Sequence, residues 1–372
     1  MPPLKTLITP QESVKIISIL TFRFKNKILM TSSVIIDSIG TAKPIASKIL
    51  SDAFEIPQEL ITKLIYGAPS VLLHKVDEKI ANKATKTLSQ LGLEVRVQDA
   101  SIPVPTDTTT YDISIYIEDI ALLPLITKQV SEFLGCGLKE AFHLLTQESG
   151  IVIGGVSKAT VDAFSKRIDA KVVASQASKD TYTISVDTTD KSLLKQLCSE
   201  LKTMPPFINI PYKTSQNLWR KYGSNSHLSI LNESHQRFEI VLENVVATHP
   251  EYRKTLLEKV GMPEAIIDTV LQNLPVQLEE GLPIQEAIQV IEDYKENGLA
   301  CSIKPLPTAD CSIEIEITDL ESTQSLLSQF VSKDQLPVVE GQKWTSPPLK
   351  RLIVRYVEEK LNNIETTSEI VA

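Results

Sequence analysis

The sequence predicts an α+β protein: a tandem array of small β-α-α-β-α-β modules, with two shortened or degenerate copies among them. Three observations carry this reading. A spaced pattern recurs three times, alternating strands stand at the head of the recurrence, and the composition suits several small aliphatic cores. The 372 residues exceed one ordinary domain. Hydrophobic residues make up 42% and charged residues 23%, enough to build real cores. Aromatics are only 5%, and 21 prolines outnumber 13 glycines. These proportions exclude a collagen-like chain, a disulfide scaffold and an integral membrane bundle. The net charge of −8 argues against a nucleic-acid binder, which carries a basic balance or stripe.

The recurring pattern decides the architecture, because a repeat sets the fold of every copy. Its first copy reads Pro57-Gln58-Glu59-Leu60, Pro69-Ser70-Val71, Val76, then Gly92 to Val97. The second reads Leu138-Lys139-Glu140-Ala141, Gly150-Ile151-Val152, Val156, then Lys171-Val172-Val173. The third reads Met262-Pro263-Glu264-Ala265, Leu274-Pro275-Val276, Leu282, then Gly298 to Ile303. Glu59 to Val71, Glu140 to Val152 and Glu264 to Val276 span equal distances, which aligns the three glutamates at helix starts, where negative charge suits the dipole. Asp77 and Ser157 read as N-caps, and Pro283 suits a first helical turn. Ile80, Ala84, Leu88 and Leu91 recur at helical spacing, as do Ala287, Ile288, Ile291 and Tyr294. Gly92 and Gly298 stand after the last turn as left-handed stops; the second copy has only Asp169-Ala170 there, so its helix must end differently.

Alternating strands at Tyr111 to Ile117 and Phe238 to Glu243 open the second and third copies, with helices next at Leu122 to Leu134 and Glu251 to Val260. Two divergent relatives begin in the same way. Tyr182 to Val186 leads into a helix at Lys191 to Lys202, an extended piece at Phe207 to Ile210 and a helix at Gln216 to Tyr222. Ser312 to Ile317 leads into Leu320 to Val331, an extended piece at Leu336 to Glu340 and a helix at Pro348 to Leu361. The expected organisation is therefore 1–99, an N-terminal segment plus the first module; 111–177, the second; 180–234, a divergent α+β module; 236–305, the third; 310–362, a second divergent module; and 363–372, a flexible polar tail.

These residues carry a resemblance. Gly135-Cys136-Gly137-Leu138-Lys139-Glu140-Ala141 resembles the Gly-Leu-Gly-Leu-Lys-Glu-Ala signature of the C-terminal domain of the bacterial ribosomal stalk protein L7/L12. Ala68 to Asp77, together with Ala81 to Ala84, resembles the second half of the same domain. The resemblance implies a compact α+β unit of the architecture shared with the ClpS protease adaptor. It also implies that the first two helices recruit translation GTPases through a basic surface. In the second copy that surface falls at Leu123, Pro124, Thr127, Lys128, Ser131 and Phe142, of which only Lys128 is basic. The third copy has Tyr252 and Thr255 where Lys128 and Ser131 stand. The family's N-terminal dimerisation helices and Ala-rich hinge have no counterpart.

No catalytic, cofactor or metal constellation stands out. His74, His143, His227, His235 and His249 are scattered without metal-ligand spacing. Gly135 and Gly137 come after a helix and lack the third glycine of a dinucleotide fingerprint, and Gly154-Gly155 reads as a tight turn. Cys136, Cys198, Cys301 and Cys311 form no Cys-x-x-Cys pair and read as reduced thiols, with a Cys301–Cys311 disulfide possible but undemanded. The apolar run Val14 to Phe22 lacks a signal-peptide cleavage site, and no stretch is long enough for a membrane helix, so the expectation is a cytoplasmic chain without membrane insertion. Protein-binding residues are expected at Lys128, Lys139, Trp219, Trp344 and Arg351. Trp219 stands beside Arg220 and Lys221, and Trp344 with Lys343, Lys350, Arg351 and Arg355, in basic-aromatic clusters of the kind interfaces favour. Three functions stay open: a non-enzymatic multi-module interaction scaffold or assembly factor, with self-association possible; an adaptor recruiting a translation GTPase or AAA+ chaperone; and an enzyme with a site between modules.

Overall fold

The computed structural model describes residues 31–104, 108–147, 149–186, 190–205, 207–249, 251–306, 310–362 and 368–371. The apolar run Val14 to Phe22 lies outside them. Within the described residues the protein is mixed α/β, with five small antiparallel sheets and thirteen α-helices. The chain divides into two compact units, Met1–Gln147 with Ile151–Gln176, and Glu148–Gly150 with Ala177–Ala372.

The first unit holds two sheets. The first subdomain runs β1 (Ser32–Ser38), α1 (Ile45–Phe54), α2 (Gln58–Tyr66), β2 (Ser70–Val76), α3 (Glu78–Gln90), β3 (Glu94–Asp99). The second runs β4 (Tyr111–Tyr116), α4 (Leu123–Leu134), α5 (Leu138–Thr146), β5 (Ile151–Val156), α6 (Lys158–Ser165), β6 (Lys171–Ser175). In both, the strand that comes first in sequence is central, giving the orders β2-β1-β3 and β5-β4-β6. Alternation decides the burial: Val34 and Ile36 share one face of β1 and Ile35 the other, and all three are fully buried. Both faces of this sheet are therefore covered.

The second unit holds three sheets. The third subdomain runs β7 (Thr181–Val186), α7 (Lys191–Leu201), β8 (Phe207–Pro211), α8 (Tyr212–Tyr222), β9 (Leu228–Asn232). The fourth runs β10 (Phe238–Val245), α9 (Tyr252–Glu258), α10 (Glu264–Gln272), β11 (Val276–Leu282), α11 (Ile284–Glu296), β12 (Leu299–Pro305). Phe238, Ile240 and Leu242 of β10 meet Leu256, Ile267, Ala287 and Ile291 in its core. The fifth runs β13 (Asp310–Glu316), α12 (Leu320–Leu327), β14 (Lys343–Thr345), β15 (Leu349–Lys350), α13 (Arg351–Asn362), β16 (Ser368–Val371).

Local chemistry accounts for the element ends. Asp77 accepts from the Lys79 amide at 2.8 Å, Ser157 caps Thr160, and Asp190 and Asp319 cap α7 and α12. Pro283 occupies the N-cap of α11 rather than its first turn. Gly92 and Gly298 are left-handed, and their carbonyls accept from Thr41 and Val246 respectively, each at 2.8 Å. In the second subdomain, which lacks this glycine, the Gln129 side chain of α4 accepts from the Asp169 amide and donates to the Asp169 carboxylate. A side chain there performs the closure that a backbone turn performs elsewhere.

Two further left-handed positions recur. The first helices of the first three subdomains end at C-caps of positive φ, Glu55, Gly135 and Lys202, and in the fourth the positive-φ residue is Gly261, two residues past the right-handed cap Lys259. The second strand of each carries a positive-φ residue where pairing with the central strand slips: Lys75, Gly155, Asn209 and Gly281. β1/β2 and β10/β11 share a register. Ser32 pairs Val76, Val34 pairs Leu73 and Ile35 pairs Val71, while Phe238 pairs Leu282, Ile240 pairs Glu279 and Val241 pairs Gln277, a constant displacement along the chain. The same displacement sets Pro263 opposite Pro57, so Glu264 matches Gln58, one place away from the Glu59 that equal spacing suggests.

The fifth subdomain departs from expectation. The extended piece expected at Leu336 to Glu340 is an exposed loop at Val338 and Val339, and the strands lie later, at β14 and β15, with Pro347-Pro348 between them. Those prolines also delay the last helix to Arg351. Part of the expected flexible tail is a strand: Ser368–Val371 pairs with β13 from Ser312 to Ile315, while 363–367 and 372 lie outside the described residues. β14 and β16 both pair Glu314 and Ile315, so they lie on opposite sides of β13.

The left-handed positions and the buried histidine can each be tested. An L-residue held left-handed costs about 1–2 kcal/mol, partly offset by the greater unfolded-state entropy of glycine. Lys202→Gly should therefore stabilise the second unit by about 0.5–1 kcal/mol in urea unfolding monitored by tryptophan fluorescence, which reads that unit alone because Trp219 and Trp344 both lie in it. His235, between the third and fourth subdomains, is buried. Burial lowers its pKa to about 4, with Arg237 adding to the shift and Asp180 opposing it. The unfolded chain then binds the extra proton, so stability is full above pH 6.5 and falls as pH drops towards 4, by up to about 3 kcal/mol. In His235→Gln that acid limb should flatten in the same fluorescence assay; an unchanged limb would assign it to other groups.

Candidate functional site

The binding residues expected from the sequence do not converge. Lys128 projects from α4 and sits 4.0 Å from Glu132, one turn on, with both side chains largely exposed. Lys139 is exposed on α5. Trp219 is 40% exposed on α8, with Arg220 exposed beside it and Lys221 paired with Glu200. Trp344 is half-buried against the core of Ile313, Ile315 and Leu327, and its indole donates to the Gln335 carbonyl at 3.1 Å. Its size serves packing there. Arg351 is bound within the second unit: its guanidinium meets Glu280 at 3.1 Å and its charge offsets the upward shift that burial gives the Glu239 carboxyl. It joins α13 to β11.

The basic face implied by the stalk-domain resemblance is not assembled in the second subdomain. Leu123 and Thr127 are buried, and Thr127 donates its hydroxyl to the Leu123 carbonyl. Ser131 donates to the Cys136 carbonyl, closing the α4–α5 junction. The outward face of α4 is instead Pro124, Leu125, Lys128 and Glu132, set by helical periodicity.

What the structure does bring together is a seam between the two subdomains of the first unit. Tyr66, at the end of α2, donates to the Phe133 carbonyl at 2.9 Å. Its own carbonyl accepts from the Ser157 amide and the Thr160 hydroxyl of the second subdomain. Burial pushes the Tyr66 phenol up to about 12, with Arg167 opposing. Tyr66, Phe133 and Phe164 stack edge to face in a chain, with centroids 5.9 and 4.8 Å apart. The Arg167 guanidinium lies over Phe133 and donates to the carbonyls of Gly40 and Ala42. α6 also packs against β1.

Gly135 sits at the centre of this seam. Its φ is +72°, and a Cβ there would collide with the Pro44 side chain at the head of α1. Around it opens a cavity of about 110 Å³, lined by Ile39, Ala42, Ala46 and Ile65 of the first subdomain and Leu134 of the second, with Lys43, Ser47 and Gln58 among the polar contributors. Large exposed apolar residues stand on α1 at Ile45 (55% exposed) and Ile49 (42%), on α4 at Leu125 (43%) and, three residues after Gly135, at Leu138 (59%); the cavity itself is lined by other side chains. Sequence reasoning missed them because each reads alone as an ordinary helical residue. The signal was the close approach that Gly135 permits, which the residues around Gly135 do not show by themselves.

Elsewhere chemistry is dispersed. His74 bonds Ser33 at 2.9 Å on the sheet, and its pKa is lowered by burial and by Lys75. Ser33 is itself buried. Glu233 is buried and accepts from Thr183 and Thr181 hydroxyls and the Asn209 amide, holding the left-handed bulge of β8. None of the four cysteines is in a disulfide, Cys301 and Cys311 are buried, and burial raises the Cys301 thiol to about 11. Among the described residues no His/Cys/Asp/Glu group could hold a metal ion, and no helix is long and apolar enough to cross a membrane.

The seam sets a prediction. Gly135→Ala combines a left-handed L-residue with the Pro44 collision and should cost about 2–4 kcal/mol. Hydrogen exchange should show the Ser157 amide losing protection while the Lys79 amide, capped within the first subdomain, keeps it. Equal protection at Ser157 would mean that the subdomains do not depend on this contact. Set beside known proteins, the chain matches no family model, no curated protein and no solved structure.

Proposed function

We propose that the chain is a multi-module protein-interaction scaffold, its small α+β subdomains being related copies of one stalk-domain-like fold, and that its first unit binds a protein partner over the seam. The observation that carries this is the set of exposed apolar side chains near the Pro44–Gly135 contact: Ile45 and Ile49 on α1, which walls the cavity, and Leu138, three residues after Gly135. Apolar side chains around a concavity are the usual anchor of a protein contact, and their burial would supply roughly 1.5–3 kcal/mol each. The seam's hydrogen bonds, aromatic chain and Arg167 contacts pre-position that surface, which limits the ordering cost of binding. The shared left-handed positions and registers support common descent of the subdomains, and several such surfaces on one chain add avidity. The buried Leu123 and Thr127 favour this reading over recruitment of a translation GTPase through a basic helical face.

Affinity capture from native extract with the full chain tests it. The wild type should retain a stable partner, Ile49→Asp with Leu138→Asp should lose it, and Trp219→Asp should keep it. Retention by the double variant with circular dichroism unchanged, or no partner and no self-assembly in the wild type, would overturn the assignment.

A further inference from the structure

The cavity of the seam has a chemistry of its own, and it extends the proposed interaction reading, on which it rests. At about 110 Å³ it approaches the volume of an engineered apolar cavity, about 150 Å³, that admits benzene. It is thus the right size for one branched aliphatic side chain. Its polar neighbours are largely satisfied from within. Gln58 donates to Ser47 at 3.2 Å, Ser47 donates to the Pro44 carbonyl at 2.8 Å, and the Tyr66 hydroxyl is spent on Phe133. An apolar entrant therefore leaves the Gln58 amide, the Ser47 hydroxyl and the Tyr66 hydroxyl with their partners, and the Thr62 hydroxyl is the remaining neutral polar group it packs against. Ile39, Ala42, Ala46, Ile65 and Leu134 supply apolar walls.

Charge selects what flanks that side chain. Lys43 is the one charged residue lining the cavity, and it is exposed. It stands at the head of α1, where the chain turns from Ala42 into Pro44. A carboxylate next to the inserted residue would meet this ammonium at the rim, whereas a basic neighbour would be repelled. Both subdomains wall the cavity, so a single isolated domain of this kind does not contain it.

The geometry points to the seam cavity as a socket for one leucine-sized side chain of an extended partner segment that carries acidic residues beside it. The leucine provides the buried anchor and the acidic flanks provide orientation through Lys43.

Fluorescence anisotropy with the full chain tests this using three labelled peptides: a central leucine flanked by aspartates, the same leucine flanked by lysines, and the aspartate peptide with glycine replacing leucine. The aspartate–leucine peptide should bind saturably and the glycine peptide should not. Lys43→Glu should weaken the aspartate–leucine peptide about fivefold or more and favour the lysine-flanked one, the reversal expected of a rim charge. Thr62→Leu, which narrows the cavity from α2, should weaken binding more than about tenfold while leaving the melting temperature within a few degrees. Equal binding of acidic and basic peptides, binding unchanged by Thr62→Leu, or no saturable binding to the wild type would each overturn the socket. A cellular partner lost with Leu138→Asp yet retained by Thr62→Leu would reject the socket and leave the scaffold standing.

Discussion

A three-stranded sheet has two faces, and the helices of one small subdomain cover only one of them. That constraint organises the first unit. Val34 and Ile36 of β1 turn towards one face, and Ile35, on the opposite face, is just as deeply buried. The neighbouring subdomain lays α6 against β1, and Val161 and Phe164 of that helix are themselves buried. Once a neighbour's helix is needed to finish a sheet, the contacts that fix that helix become structural necessities. Tyr66 receives the Ser157 amide at the start of α6, and Arg167, just beyond its end, grips the loop after β1. The seam is thus a consequence of finishing the core. In the second unit, Val241 of β10 is likewise buried on the face away from Ile240 and Leu242, and Arg351 of α13 reaches Glu280 of β11.

Inside each of the first four subdomains, compactness requires two left-handed backbone positions. Glycine meets this need at Gly135, Gly155, Gly261 and Gly281, and Glu55, Lys75, Lys202 and Asn209 occupy the same geometry with side chains attached. The conformation is thus dictated by the turn and the strand slip around it, and residue identity tracks it only loosely. A short first helix must reverse direction into the next element, and the second strand must shift its pairing with the central strand. Asparagine tolerates such a backbone well, whereas lysine and glutamate are held there against their preference by the surrounding pairing.

This explains which parts of the fold are legible in the sequence. Helix caps at Asp77 and Ser157 and stops at Gly92 and Gly298 announce themselves because the residue type is itself the cause of the feature. The left-handed Lys75 and Lys202 carry no such mark. Equal spacing aligns Glu264 with Glu59, whereas the prolines that set the helix starts align it with Gln58; charge near a helix terminus is a looser ruler than a cap. In the fifth subdomain Val338 and Val339 look like a strand by propensity, yet pairing partners exist only further on, where Trp344 reaches the core. Ser368–Val371 reads as a polar tail, and only the open side of β13 makes it a strand. Strand identity there belongs to the partner.

The candidate site is the extreme case of the same rule. Trp219, Trp344 and Arg351 attract notice because of what they are, but Trp344 is held by packing and Arg351 by Glu280. Ile45, Ile49 and Leu138 are unremarkable one at a time and come from elements far apart in the chain, Ile45 directly after Pro44 and Leu138 three residues after Gly135. Their significance depends on a contact between Pro44 and Gly135 that no periodicity encodes. The glycine of the Gly135-Cys136-Gly137 junction does two jobs: it lets α4 end left-handed, and its missing side chain makes the space for the preceding subdomain. A residue suited to a left-handed turn in this way also serves as a joint between neighbouring subdomains. The surface at that joint is a property of the two subdomains together, and neither presents it alone.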